Sequence, residues 1–254
     1  MKGAVVRLGV LTPHAAAGPE EEFPAMAPGR LVTRVVRVAA AAGAADAAGG
    51  PPPPGAARQL TGPPLLDEAA ADLAAGADAV QAIGFASTST GYAIGFDGES
   101  ALVGRLSRRA RVPVTGTGPA AVAALRVLGV ERVALVHPPW FDADVNALGA
   151  EYFRSQGLDV VFSASAGLVP DPPRIEAGAV VDWVSRHVPD TAEAVYLGGN
   201  GFRTVAAVEA LEAGLGRPVL TANQVLLWSL LALAGATSPV TGYGRLFTYG
   251  YPSA

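Results

Sequence analysis

Short apolar runs recur along the chain, at Val5–Leu11, Leu31–Val38, Ala79–Phe85, Val112–Val114, Arg132–Val136, Asp159–Phe162, Ala194–Leu197 and Pro218–Leu220. Amphipathic stretches lie between them: Ser100–Arg109, Ala120–Leu128, Ala143–Gln156 and Thr204–Leu215. Gly157 and Gly216 stand where a left-handed glycine closes a helix. Strands alternating with helices predict an α/β fold with parallel sheets. The proline-rich Gly49–Pro54 run reads as a mobile surface loop.

The second half of the chain echoes the first. Arg7-Leu-Gly-Val-Leu-Thr-Pro13 returns as Arg132-Val-Ala-Leu-Val-His-Pro138, and Val112-Pro-Val-Thr-Gly-Thr117 as Arg217-Pro-Val-Leu-Thr-Ala222. The hydroxyl-rich Ser87–Thr90 turn has its counterpart in Gly198-Gly-Asn-Gly201. Two pseudo-symmetric Rossmann-like lobes are therefore expected, one from residues 1–116 plus 221–254 and one from 117–220. Ligands bind at the carboxyl ends of parallel strands, so the cleft between facing lobes is the expected site.

Ser87-Thr-Ser-Thr90 follows an apolar run and leads into a helix. Backbone N–H groups point outward at such a junction and favour an anion. The plain alternative is helix capping, worth about 1 kcal/mol, but four hydroxyls exceed what one cap requires.

Composition narrows the chemistry. The chain carries no cysteine, which removes disulfides, thiol nucleophiles and thiolate-bound metals, and its three histidines lie far apart, so no metal site is expected. A net charge of −4 gives no basic field for nucleic acid. Arg108, Arg109 and Arg111 read as a solvated helix end. The most apolar stretch, Val225–Ala236, is too short to cross a bilayer. Lys2 precedes a strand-like run rather than a cleavable apolar stretch, so a cytoplasmic protein is expected.

Several motifs in order resemble the aspartate/glutamate racemase superfamily, in the branch of maleate cis–trans isomerase and arylmalonate decarboxylase. They are Gly9-Val-Leu-Thr-Pro-His-Ala-Ala-Ala-Gly18, Ser87-Thr-Ser89, Leu197-Gly-Gly199, Arg217-Pro-Val-Leu-Thr-Ala-Asn223 with Trp228, and Gly242-Tyr-Gly-Arg-Leu-Phe247. The likeness spans nearly the whole chain. It implies a substrate-binding loop at Pro13, and a carboxylate and its enediolate held by Thr88, Ser89 and the Gly199-Asn200-Gly201 turn. The family's two cysteines correspond here to Ser87 and Gly199. An ordinary serine is far less acidic than a thiol, so two-base racemisation and thiolate-adduct isomerisation are not expected. Decarboxylation tolerates the loss best, because its first step needs charge stabilisation and an apolar pocket, not a base.

A proton donor is still required. Ser87, Tyr92 and water are candidates, and His14 and His137 occupy equivalent places after the first strand of each lobe, where two imidazoles would replace two thiols. Trp140 and Phe141 lie where relatives carry a carboxylate-binding tyrosine and are read as wall of an apolar substrate pocket. Asp142 and Asp144 read as helix-opening carboxylates. Glu20, Glu21 and Glu22 read as a solvated run or part of a lid.

The resulting expectation is an enzyme without organic cofactor or metal that acts on a small carboxylate or carbonyl compound as a decarboxylase or related lyase. The alternatives are an isomerase using His14 or His137 as shuttle, and a non-catalytic carboxylate-binding protein. An ester hydrolase built on Ser87 would need a histidine within hydrogen-bond reach. Neither nucleic acid nor membrane is an expected partner; a homo-oligomer is compatible with this reading.

Overall fold

The computed structural model describes residues 5–14, 16–38, 54–236 and 240–250. It contains two four-stranded, all-parallel sheets of identical strand order. The first runs β2 (Leu31–Arg37), β1 (Val6–Thr12), β3 (Ala82–Phe85), β4 (Val114–Gly116). The second runs β6 (Asp159–Ser165), β5 (Arg132–His137), β7 (Ala194–Leu197), β8 (Val219–Thr221). The sequence echo falls on equivalent strands: β1 matches β5 and β4 matches β8. The Gly49–Pro54 segment lies outside the described residues up to position 53, and Pro54 opens α2 (Pro54–Thr61).

The strands are short because buried parallel strands need only a few branched or aromatic residues between crossovers; all four residues of β3 and of β7 are buried. Helices cover both faces of each sheet. In the first lobe these are α1 (Pro19–Met26), α2, α3 (Leu65–Leu73) and α4 (Thr88–Ala110). The chain then passes to the second sheet through α5 (Thr117–Val127), followed by α6 (Ala143–Arg154), α7 (Ala177–His187) and α8 (Val208–Leu215). Finally α9 (Ala222–Leu233) returns to pack Leu226, Leu227 and Leu230 against Leu8 and Val10. It is apolar nearly all round because it is buried on all sides, each such leucine contributing about 1.5–3 kcal/mol. Thr221 caps it with Gln224 in a reciprocal capping box.

Helix α4 starts at Thr88, in the Ser87–Thr90 junction where a helix was expected, and runs on into the amphipathic Ser100–Arg109 stretch with a bend at Gly95 (φ 73°, ψ 169°). Its first turns are hydroxyls and glycines with poor helical propensity, so its start is set by packing. The bend carries Glu99 back beside the beginning of its own helix. The basic group does end this helix: Arg108 and Arg109 lie in its last turn and Arg111 (φ 60°) closes it. Gly157 (φ 81°) and Gly216 (φ 68°) take the left-handed conformation expected of them. Among the described residues no helix is long and apolar enough to cross a membrane.

Candidate active site between the lobes

The carboxyl ends of β1, β3 and β7 bring three turns together. From β1 comes His14, half-buried, whose Nε2 lies 3.2 Å from the Ser87 Oγ. Ser87, fully buried, precedes α4 and donates its proton to the Thr90 Oγ1 at 2.7 Å. From β7 comes the Gly199–Gly201 turn. A small cavity of about 20 Å³ lies between, walled by His14, Ala16, Trp140 and Phe141 on one part and by Pro172, Gly199, Asn200 and Gly201 on the other. Burial pushes the His14 pKa down from 6.5 to about 4, so the imidazole is neutral near pH 7 and ready to accept a proton.

The expected anion donors divide into two groups. The Thr88 amide is consumed inside the protein, donating to the Asn200 Oδ1 at 3.1 Å, and the Gly199 amide donates to the Thr88 Oγ1 at 3.1 Å. The Ser89 and Thr90 amides, at the start of α4, and the Asn200 and Gly201 amides opposite have no protein acceptor among the described residues. The Ser89 Oγ is buried without a hydrogen-bond partner. These groups retain capacity to receive an oxyanion.

Other candidates fall elsewhere. The Asn200 side chain faces away from the cavity into a socket of Thr88, Thr117 and Asn223, so it offers the cavity only backbone. Pro13 is half-buried and outside the cavity wall. Trp140 and Phe141 both line the wall, Trp140 edge-on to Phe202 and Phe141 stacked on His137.

His137 does not mirror His14. It is fully buried, with Nε2 3.2 Å from the Tyr92 hydroxyl, and burial lowers its pKa to about 4 with Asn146 opposing. The proposed symmetry of two imidazoles across one cavity is therefore absent, because the β5 histidine turns into the core between the lobes. Asp142 acts as a helix cap, accepting from the Val145 amide at 2.9 Å.

Of two buried acids, Glu22 differs from its solvated reading and Glu99 carries no signal in the sequence. Glu22 is buried, and only its neighbours are solvent-side: Glu20 pairs with Arg37 and Glu21 with Arg203. Desolvation raises the Glu22 pKa to about 7 against the pull of hydrogen bonds from Val205, Asn223 and Thr204. Glu99 is fully buried, accepting from the Tyr152 hydroxyl at 2.7 Å and the Gly118 amide at 3.3 Å. A Cβ at Gly91 would stand 2.5 Å from its carboxylate, and one at Gly116 would overlap it, so only glycines leave room for the group. No local spacing reveals either residue. Among the described residues no cluster of three or more His, Asp or Glu side chains is placed to hold a metal ion.

Burial also raises the Glu99 pKa, from 4.5 to about 7. Between those values the unfolded chain has released a proton that the folded protein keeps, so this group's contribution to stability falls as pH rises. The interval corresponds to about 3 kcal/mol. Glu99→Gln should therefore gain stability relative to wild type by up to about that amount between pH 5 and 8. Urea midpoints at the two pH values measure it; an unchanged difference would refute the buried-acid assignment.

A family model for arylmalonate decarboxylase matches residues 65–247, most of the chain. The chain belongs to the arylmalonate decarboxylase family. It is 31% identical over 166 residues to the arylmalonate decarboxylase of Bordetella bronchiseptica, covering 63% of this chain and 68% of that protein. The fold is shared more widely. Unliganded arylmalonate decarboxylase superposes with a TM-score of 0.76 at 22% identity, over 96% of this chain and 99% of that one. Maleate isomerase from Pseudomonas putida S16 gives 0.82 at 21%, over 96% and 98%. A Nocardia farcinica maleate cis–trans isomerase with a covalently bound succinylcysteine intermediate gives 0.78 at 21%, over 96% and 98%. These relatives are enzymes, a lyase and isomerases.

Within this arylmalonate decarboxylase family member, Gly199 occupies the place that the resemblance gives to a cysteine. Its φ is +99°, and a Cβ there would lie 2.9 Å from the Pro138 Cγ. Gly199→Cys is therefore expected to lower stability by about 1–3 kcal/mol and not to create a working thiol. A thermal melt and a thiol titration check it; a fully stable, reactive thiol would contradict the backbone geometry.

Proposed function

We propose that this protein is a cofactor-independent decarboxylase of a small malonate-type carboxylate bearing an apolar substituent. The observation that supports it is the His14–Ser87 pair at a cavity whose other walls are the Gly199–Gly201 turn and two aromatic rings. One carboxylate is held by the Asn200 and Gly201 amides of the cavity wall, and the Ser89 and Thr90 amides and the Ser89 hydroxyl, buried behind that wall, join them only as the cleft opens. The second carboxylate points into the apolar part beside Trp140 and Phe141, where desolvation favours departure of neutral CO₂.

The C–CO₂ bond breaks, and its electron pair moves into the retained carboxylate to give an enediolate. The preorganised N–H groups stabilise that charge. The dianionic substrate raises the proton affinity of His14 from its low resting value, so binding takes up a proton. His14 then returns the proton to the α-carbon, with Ser87 holding its Nε2. The products are the monocarboxylate and CO₂. The cavity holds about one water as it stands, so substrate entry requires the cleft to open.

Ser87 does have the neighbouring histidine that an ester hydrolase needs, but its hydroxyl is fully buried and absent from the cavity wall. An isomerase is the second reading, favoured by His14 as a proton shuttle. Aryl- and alkenylmalonates and β-keto acids incubated in D₂O and followed by NMR separate the readings. Decarboxylation gives a monoacid with one deuterium on the α-carbon. Deuterium entry without CO₂ release would overturn it in favour of isomerisation.

A further inference from the structure

We propose that Glu22, on α1, is a positioning residue that fixes the polarity of the Asn223 and Asn200 side-chain amides. Through them it sets the bond that ties the Gly199 turn to Thr88 at the start of α4. The role deepens the site described above, resting on the proposed reaction only where turnover is concerned.

An ionised carboxylate accepts hydrogen bonds and never donates. The Glu22 Oε1 accepts from the Val205 amide at 3.0 Å and its Oε2 from the Asn223 Nδ2 at 2.7 Å. Asn223 must therefore present its amino group to Glu22. The same amino group donates to the Asn200 backbone carbonyl at 2.9 Å. Its carbonyl consequently faces Asn200, whose Nδ2 donates to it at 2.9 Å. The Asn200 Oδ1 is then the end that meets Thr88, accepting from its amide and its hydroxyl, each at 3.1 Å. With its proton given to Asn200, the Thr88 Oγ1 is left to accept from the Gly199 amide at 3.1 Å.

Every donor in this series has an acceptor, and Glu22, Asn223, Asn200 and Thr88 are each 5% exposed or less. No water-exposed end is available to absorb a reversed amide. Reversing Asn200 would set its NH₂ against the Thr88 N–H, and a buried donor facing a donor is costly. Thr88 and Gly199 come from different lobes, so the relay fixes the separation between the start of α4 and the Gly199 turn that walls the cavity.

The isosteric Glu22→Gln variant is the informative one. Glutamine can offer its oxygen to Val205 or to Asn223 but not to both, and its amino group forces the Asn223 amide to turn. Glu22→Ala only leaves space that water can enter. A packing role predicts that Gln is milder than Ala; a polarity role predicts the reverse. The test is amide hydrogen exchange and NMR on the protein alone at pH 8, where Glu22 is ionised. Gly199 exchange should accelerate about tenfold or more in Glu22→Gln. A new cross-peak between the Thr88 amide and the Asn200 side-chain NH₂ should appear. Glu22→Asp, which keeps an acceptor, should restore part of the protection. Should Glu22→Gln fail to fold, Asn223→Ala carries the test, since it cuts the relay and leaves Glu22 with Val205. Wild-type Gly199 protection in Glu22→Gln, or in Asn223→Ala, overturns the proposal, as does a milder effect of Gln than of Ala. Where a substrate is in hand, Glu22→Gln should lower kcat more than it raises KM. The exchange measurement stands whether or not decarboxylation is the reaction.

Discussion

His14→Ala is expected to slow turnover by about 10²- to 10⁴-fold, the range for loss of a positioned acid–base group. Among the described residues the imidazole is the one titratable side chain in the cavity wall, and its Nε2 is held by a hydroxyl from the neighbouring turn. Substrate affinity should change less, because the amides that receive the carboxylate belong to other residues. Ser87→Ala should be milder, about tenfold, since it removes the group that orients the ring and not the ring itself. His137→Ala is the contrasting control. It should lower the melting temperature by leaving the Tyr92 hydroxyl unpaired in the core, while kcat stays near wild type. Steady-state kinetics with a monocarboxylate readout measures all three. Unchanged turnover in His14→Ala would remove the imidazole from the mechanism, and a large kcat loss in His137→Ala would return the second histidine to it.

Gly18→Ala is expected to cost about 3 kcal/mol or more in stability and most of the activity. Gly18 caps α1, accepting from the Glu21 and Glu22 amides through its carbonyl. A Cβ at this position would overlap the Asn200 carbonyl oxygen. Both sides of that contact are backbone, so no rotamer change relieves it. The start of α1 and the Gly199–Gly201 turn must separate, which draws Glu22 away from Asn223 and opens the cavity wall. Urea unfolding gives the stability, and Gly199 amide exchange reports the turn. A variant with wild-type stability and exchange would mean that α1 does not approach the Asn200 turn in solution.

The strands were legible because a parallel sheet needs local, near-continuous apolar runs, and those are written in consecutive residues. The repeat was legible for the same reason: Arg7–Pro13 and Arg132–Pro138 each encode a central strand and the polar turn after it. The start of α4 was legible in the Ser87–Thr90 turn, but its run through to the amphipathic Ser100–Arg109 stretch was not, since Gly91, Gly95 and Gly98 weaken the helical pattern and tertiary packing overrides them. Glu22 looked solvated because it stands in a run of three glutamates, while its acceptor role depends on Asn223 and Val205, about two hundred residues away. His137 looked like the twin of His14 because the flanking residues repeat; the neighbouring Tyr92 and Phe141, which claim its ring, do not repeat.

Sequence by itself thus determined the fold class, the equivalence of the two halves, the turns that meet at the cleft and the absence of thiol chemistry. All of these depend on residue identity and on spacing within one element. Only the tertiary structure decided which histidine faces the cavity, that Asn200 spends its side chain on the opposite lobe, and that Glu22 and Glu99 are buried acids. Each of those outcomes is set by a contact between distant segments, where desolvation and hydrogen-bond polarity, rather than local pattern, choose the arrangement.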